Sequence, residues 1–143
     1  MHKTAPIPFG KLHKAGEDYL EAILRLEKSK GSVRSVDIAR KLNISKPSVS
    51  NAISVLGQAG HLTVDEDHFI HLTEEGRRNA ERVYERHRFL KDFLMTIGVD
   101  EETAEDDACR MEHDISAVSF EALKKNVGPG KAPGSSGRIK NTG

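Results

Sequence analysis

A mainly α-helical protein with one short β-hairpin near its centre is what this sequence predicts, on three observations. Apolar residues recur at three- and four-residue steps over most of residues 17–127. That period gives way to apolar–polar alternation around residues 62–72. Glycine, or a small polar residue able to cap a helix, stands at the breaks between the periodic stretches.

The elements follow in order. Residues 1–14 have no periodicity and contain two prolines, which reads as a mobile arm. From Glu17 to Lys28, Leu20, Ile23, Leu24 and Glu27 form one stripe, and Gly31 ends the helix. Ser35 is placed to cap a short helix over Val36–Leu42, with Val36, Ala39 and Leu42 inward. A turn at Asn43–Ser45 follows, and Ser45 caps a helix that tolerates Pro47 in its first turn. Val49, Ala52, Ile53 and Leu56 are its inner face, and Gly60 stops it. Leu62 and Val64, then Ile70 and Leu72, alternate with polar residues about an acidic turn at Asp65–Asp67: a hairpin. Thr73 caps a long helix with Glu74 and Glu75 at its positive end. Its stripe is Ala80, Val83, Tyr84, Leu90, Phe93, Leu94 and Ile97, and Gly98 ends it. Asp100 caps a helix bearing Ala104, Ala108, Met111 and Ile115; a last helix carries Val118, Phe120, Leu123 and Val127. The Gly, Pro, Ser and Lys composition from Gly128 onward predicts a disordered tail, residues 128–143.

Composition bounds the function. With 36% hydrophobic and 31% charged residues, the core must be thin, and small polar proteins often complete such a core by dimerising. No apolar run reaches membrane-spanning length and no signal-peptide pattern opens the chain. The single cysteine, Cys109, excludes an internal disulfide and suits a reducing cytoplasm. Net charge is zero, but it is unevenly spread. Residues 1–60 hold ten Lys and Arg against five Asp and Glu, whereas residues 100–114 hold eight acids and one base, Arg110. A basic front suits phosphate and an acidic patch suits a cation, although solvated helix faces give the same pattern.

Helix, short helix, tight turn, helix and hairpin is the order of a winged helix-turn-helix. The second helix of the turn presents Lys46, Ser48, Ser50, Asn51 and Ser54 opposite its apolar face. Short donors and acceptors without bulk are what a helix entering the major groove needs. Asn51 is the candidate base reader, since a carboxamide pairs with both hydrogen-bonding groups of adenine. Pro47 and Ser48 are candidates for a thymine methyl, Arg34, Ser35, Ser45 and Lys46 for phosphates, and His68 at the hairpin tip for the minor groove.

Three clusters suggest a metal. Asp18 and Glu21 are three residues apart on the first helix; His87 interrupts the apolar stripe of the long helix; Cys109, Glu112 and His113 share one helical face. Each alone has an ordinary explanation: a solvated acidic face, a core histidine, a chance short motif. Together, carboxylates, imidazoles and one thiolate suit Mn(II) or Fe(II), with Co(II), Ni(II) and Zn(II) also open.

The stretches EDYLEAI from Glu17, SVDIARKLNISKPSVSNAI from Ser35, ERHRFL around His87 and DDACRMEHDIS around Cys109 resemble the iron- and manganese-dependent transcriptional repressor family. That family includes the diphtheria toxin repressor and the manganese transport regulator. The resemblance covers residues 17–127 in order. It implies a winged helix-turn-helix DNA-binding domain (15–73) followed by an all-helical dimerisation and metal-binding domain (74–127), in the two-domain form without an SH3-like domain. It also implies Asp18, Glu21, His87, Cys109, Glu112 and His113 as ligands. The set is a hybrid. Asp18 resembles the manganese branch, where the toxin-repressor branch has methionine; Cys109 resembles the toxin-repressor branch, where the manganese branch has glutamate. Lys91 stands where the toxin-repressor branch has an ancillary glutamate ligand, and Glu105 where it has an ancillary histidine.

The implied function is a cytoplasmic, homodimeric repressor of metal homeostasis that binds a palindromic operator when loaded with Mn(II) or Fe(II). No nucleophile–base arrangement or glycine-rich phosphate loop suggests an enzyme. Two alternatives stay open: a metal-independent winged-helix regulator sensing an organic ligand or redox state at Cys109, and a helical-bundle metalloenzyme. The second is opposed by the single Glu-His cluster, where a di-iron bundle uses two.

Overall fold

The computed structural model describes residues 14–127; the arm and the tail expected at the two ends lie outside the described residues, apart from Lys14. In chain order the elements are α1 (Lys14–Lys30), α2 (Ser35–Leu42), α3 (Lys46–Gln58), β1 (Leu62–Val64), β2 (Ile70–Leu72), α4 (Glu74–Thr96), α5 (Glu101–Asp114) and α6 (Ala117–Val127). The mainly α architecture with a winged helix-turn-helix is as expected. The chain divides into two compact units, one ending at Arg82 and the other beginning at Val83, so α4 contributes to both.

In the first unit α1 packs on α2, α3 and β2, and α3 packs on α2 and β1. Leu20, Ile23, Leu24, Val33, Ile38, Val49, Ile53, Leu56, Leu62 and Ile70 are its buried apolar residues. Strands β1 and β2 pair antiparallel, with Leu62 opposite Leu72 and Val64 opposite Ile70. The Ile70 amide donates to the Val33 carbonyl at 2.8 Å, which ties the wing to the α1–α2 connection. Asp65 organises the wing tip: its carboxylate accepts from the Asp67 and Phe69 amides at 2.9 and 3.0 Å and meets the His71 ring at 2.8 Å. His68 takes the left-handed conformation there, with φ 71°.

Thr73 caps α4 as its sequence position predicts. Its hydroxyl accepts from the Gly76 amide at 3.0 Å and donates to the Gly60 carbonyl at 2.7 Å. The Thr73 amide in turn donates to the His61 carbonyl at 3.1 Å. Gly76 is there because that same carbonyl lies against it; a Cβ would sit 1.8 Å from the His61 oxygen.

Two details of α2 differ from expectation. The helix begins at Ser35, so Arg34 rather than Ser35 is the capping residue, and the Asp37 carboxylate accepts from the Arg34 amide at 2.9 Å. The inner face is built on Ile38, fully buried, while Val36 is 39% exposed; Ile38, Ala39 and Leu42 fall on one stripe, and Val36 lies about 200° around the helix from Ile38. In the second unit Phe89, Leu90, Ala108 and Phe120 form the buried core, with Phe93, Ile115, Leu123 and Val127 against it. Phe89, absent from the expected stripe, meets Phe120 edge-on at 5.4 Å. Ile97 falls outside α4 and is exposed, because the chain leaves the helix at Thr96 and turns at Gly98 with φ 106°.

Candidate metal centre and nucleic-acid face

Helices α4 and α5 bring the second unit's polar cluster together. Asp100 starts α5 by accepting from the Thr103 amide at 3.0 Å. From there, one turn apart, Glu105, Cys109 and Glu112 face His87 of α4, and His113 lies beside Glu112. The His87 ring is buried. Its Nδ1 is 2.9 Å from Glu112 Oε1 and 3.8 Å from Cys109 Sγ; its Nε2 is 3.1 Å from Glu105 Oε1. The other oxygen of Glu112, Oε2, lies 3.2 Å from His113 Nε2, and both side chains are closed to solvent. Ligand atoms of His87, Glu105 and Cys109 all fall within 4.8 Å of one another.

Arg86, which sequence reading missed, fixes the far end of α5. Its guanidinium donates to the carbonyls of Glu112 at 3.1 Å and Ile115 at 2.7 Å. A buried cation at a helix C-terminus satisfies carbonyls that have no partner within the helix and complements the helix dipole. The same guanidinium lies over the Phe120 ring, 5.4 Å from its centroid. Its signal in the sequence was position: Arg86 sits three residues after Val83 and four before Leu90, on the apolar stripe itself.

The electrostatics of the cluster call for a cation. Burial alone lowers the His87 imidazolium pKa, yet contacts with Cys109, Glu112 and Glu105 outweigh it and push the value from 6.5 up to about 10. An imidazolium here serves as the positive charge among a thiol and two carboxylates. A buried carboxylate, two imidazoles and a thiol in one place therefore fit a borderline divalent transition metal, and fit poorly a hard ion that wants oxygen alone.

In the first unit, Asp18 and Glu21 share one face of α1 as their spacing predicts. Asp18 is 3.7 Å from Lys14, and the buried Glu21 is 3.5 Å from Arg25.

The nucleic-acid candidates also lie in the first unit. Arg34, Ser35, Ser45, Lys46, Pro47, Ser48, Ser50, Asn51 and Ser54 are all exposed, while Val49, Ile53 and Leu56 on the opposite side of α3 are buried. Ser45 caps α3 as predicted, accepting from the Ser48 amide at 3.2 Å. Arg34 stacks on Phe69 of the wing, its guanidinium carbon 4.2 Å from the ring centroid, which pre-orients a cation beside the hairpin.

Residues 11–68 match the iron-dependent repressor N-terminal DNA-binding domain, and residues 73–132 match the iron-dependent repressor metal-binding and dimerisation domain. The chain belongs to the iron-dependent repressor family. Its architecture, a DNA-binding domain followed by a metal-binding and dimerisation domain, is that of this family of transcriptional regulators. An uncharacterised HTH-type transcriptional regulator of Methanocaldococcus jannaschii is 34% identical over 110 residues, 76% of this chain and 88% of that protein. The transcriptional regulator MntR of Escherichia coli O157:H7 is 34% identical over 108 residues, 76% of this chain and 70% of that one. Among solved structures, IdeR of T. acidophilum aligns with a TM-score of 0.67 and 30% identity, covering 76% of this chain and 52% of that one. The chain thus spans about half the length of that solved family member. No helix among the described residues is long and apolar enough to cross a membrane.

Proposed function

We propose that this chain is a metal-activated transcriptional repressor of metal homeostasis. As a homodimer it binds a palindromic DNA operator when Mn(II) or Fe(II) is bound by Asp18, Glu21, His87, Cys109, Glu112 and His113. The observation that carries this reading is the cluster of buried His87 and Glu112 with Cys109 and His113 against them, in a chain whose α3 displays a continuous small polar face. Solved structures described as the manganese regulator SloR and as a manganese-dependent transcriptional repressor support the choice of ion. The protein is a cytoplasmic regulator and not an enzyme; its residues 15–73 bind DNA and residues 74–127 dimerise and hold the metal.

When bound, the ion supplies the positive charge that the acidic α5 and its ligands lack. Of the proposed ligands, Asp18 and Glu21 belong to the first unit and the other four to the second. Asn51 reads base edges, Pro47, Ser48, Ser50 and Ser54 lie along the groove, and Arg34, Ser35, Ser45 and Lys46 grip phosphates. Linkage requires that operator DNA tighten metal binding by the factor by which metal tightens DNA binding.

Fluorescence anisotropy of the full chain on its own upstream promoter DNA, under anaerobic conditions, tests this. Tight binding with Mn(II) or Fe(II) and loss with chelator is the expected result. Equal binding under chelator would instead favour a regulator answering to an organic ligand or to redox at Cys109.

A further inference from the structure

We infer that Glu105, held by Lys91, is a positioning residue that decides which nitrogen of His87 faces the metal. The inference rests on the metal-binding reading above. A neutral imidazole has one N–H and one lone pair, so it ligates through one nitrogen and must place the N–H of the other on an acceptor. His87 is buried, so water is a poor substitute for that acceptor. The two ring nitrogens have different surroundings. Nδ1 lies 2.9 Å from Glu112 and 3.8 Å from Cys109, both proposed ligands; the hydrogen-bond partner of Nε2 among the described residues is Glu105, at 3.1 Å. The ligating lone pair therefore belongs on Nδ1 and the N–H on Nε2, donated to Glu105.

Lys91 holds the Glu105 carboxylate in place as the acceptor. The Lys91 ammonium is 3.2 Å from Glu105 Oε1, the same oxygen that meets His87, and 3.3 Å from Glu101 Oε2. The arrangement follows from helix periodicity: His87 and Lys91 are four residues apart on α4, Glu101 and Glu105 four apart on α5, so the two pairs interlock across the helices. A carboxylate behind a metal-bound histidine fixes its tautomer and ring orientation, and loss of such a partner weakens metal affinity by roughly 10–100-fold.

The full chain, ¹⁵N-labelled in histidine and loaded with Zn(II), reports the tautomer by long-range ¹H–¹⁵N correlation. Anaerobic Co(II) titration with chelator competition, followed in the thiolate charge-transfer band, reports affinity. The expected results are His87 protonated at Nε2, E105A weakened by roughly 10–100-fold, and E105Q, whose amide oxygen still accepts the N–H, within about threefold of wild type. Unchanged thermal unfolding of the metal-free variants separates positioning from folding. Three outcomes would overturn the inference: His87 protonated at Nδ1, E105A as tight as wild type, or E105Q as weak as E105A, which would make Glu105 a ligand. Failure of the wild-type chain to take up either ion would sink the metal-binding reading itself, and this inference with it.

Discussion

Replacing Gly76 by alanine should destabilise the DNA-binding unit, although a glycine-to-alanine change inside a helix ordinarily stabilises by about 1 kcal/mol. The opposite sign comes from one contact. The new Cβ would stand 1.8 Å from the His61 carbonyl oxygen and 2.8 Å from its carbon. Contacts between nonbonded heavy atoms are comfortable near ~3.5 Å, so one segment must retreat by roughly 1.5 Å. That carbonyl accepts from the Thr73 amide at 3.1 Å, and the Thr73 hydroxyl caps Gly76 and bonds Gly60. Retreat therefore loosens the cap, worth about 1 kcal/mol, and two further bonds worth about 0.5–1.5 kcal/mol each. Less the gain in helix propensity, the net loss is about 1–3 kcal/mol, a large part of a stability of roughly 5–15 kcal/mol. Urea unfolding followed by circular dichroism measures it as a lower midpoint at unchanged slope. A midpoint equal to or above wild type would show that the wing and the start of α4 are not locked through His61.

Other predictions follow from single residues. His61 is fully buried and neither ring nitrogen has a hydrogen-bond partner among the described residues. Burial holds its pKa below 6.5, with Glu75 pulling weakly the other way. The unfolded chain then takes up this proton first, so stability is complete above about pH 6.5 and falls as pH drops below it. The wild type should lose more stability than His61→Leu between about pH 7.5 and pH 5.5; parallel losses would dismiss the idea. Asn51→Ala should cost about 1–3 kcal/mol of discrimination at one base pair, whereas Lys46→Ala should weaken all sequences alike and lower the salt slope by about one. A binding series against operator variants and salt separates the two, and identical profiles would contradict the assigned roles. Cys109→Ser should abolish the thiolate–Co(II) charge-transfer band and weaken metal binding by more than the ~10–100-fold of an outer-shell partner; retention of the band would remove Cys109 from the ligand set.

The helices and hairpin were legible because each is written in local terms: apolar period, cap and stop. Ser45, Thr73 and Asp100 all act as the predicted caps. The errors came where a two-turn helix offers more than one apolar stripe, as at Val36 and Ile38, or where two faces of one helix are buried, as at Phe89 and Leu90. Within the second unit, i+3 and i+4 spacing put Cys109, Glu112 and His113 on one helical face, but only the family resemblance implied them as ligands. Their supporting groups were less legible. Arg86 reaches carbonyls 26 and 29 residues away, a relation no local pattern carries. His61 follows a helix stop and precedes a strand, where neither period applies, so its burial had no signal in the sequence.

The charges around the cluster explain why a divalent ion, and not a core of apolar side chains, suits this place. Glu105 is balanced by Lys91. Asp18 and Glu21 each lie near a cation on α1, Lys14 and Arg25. What remains in the second unit is the Glu112 carboxylate, the Cys109 thiol and two imidazoles. Metal-free, burial lowers the His87 pKa but contacts with Cys109, Glu112 and Glu105 raise it to about 10, and that imidazolium offsets the buried Glu112 carboxylate. Within the second unit, the proposed metal-bound state would set a Cys109 thiolate and the Glu112 carboxylate against one divalent cation, with both imidazoles neutral. Buried charge is tolerated when it is paired and hydrogen-bonded, so both states are permitted, and they differ by an exchange of protons for metal. That exchange lets the same residues hold the fold together without metal and still respond to it. An apolar substitute at Glu112 would satisfy the first requirement and forfeit the second.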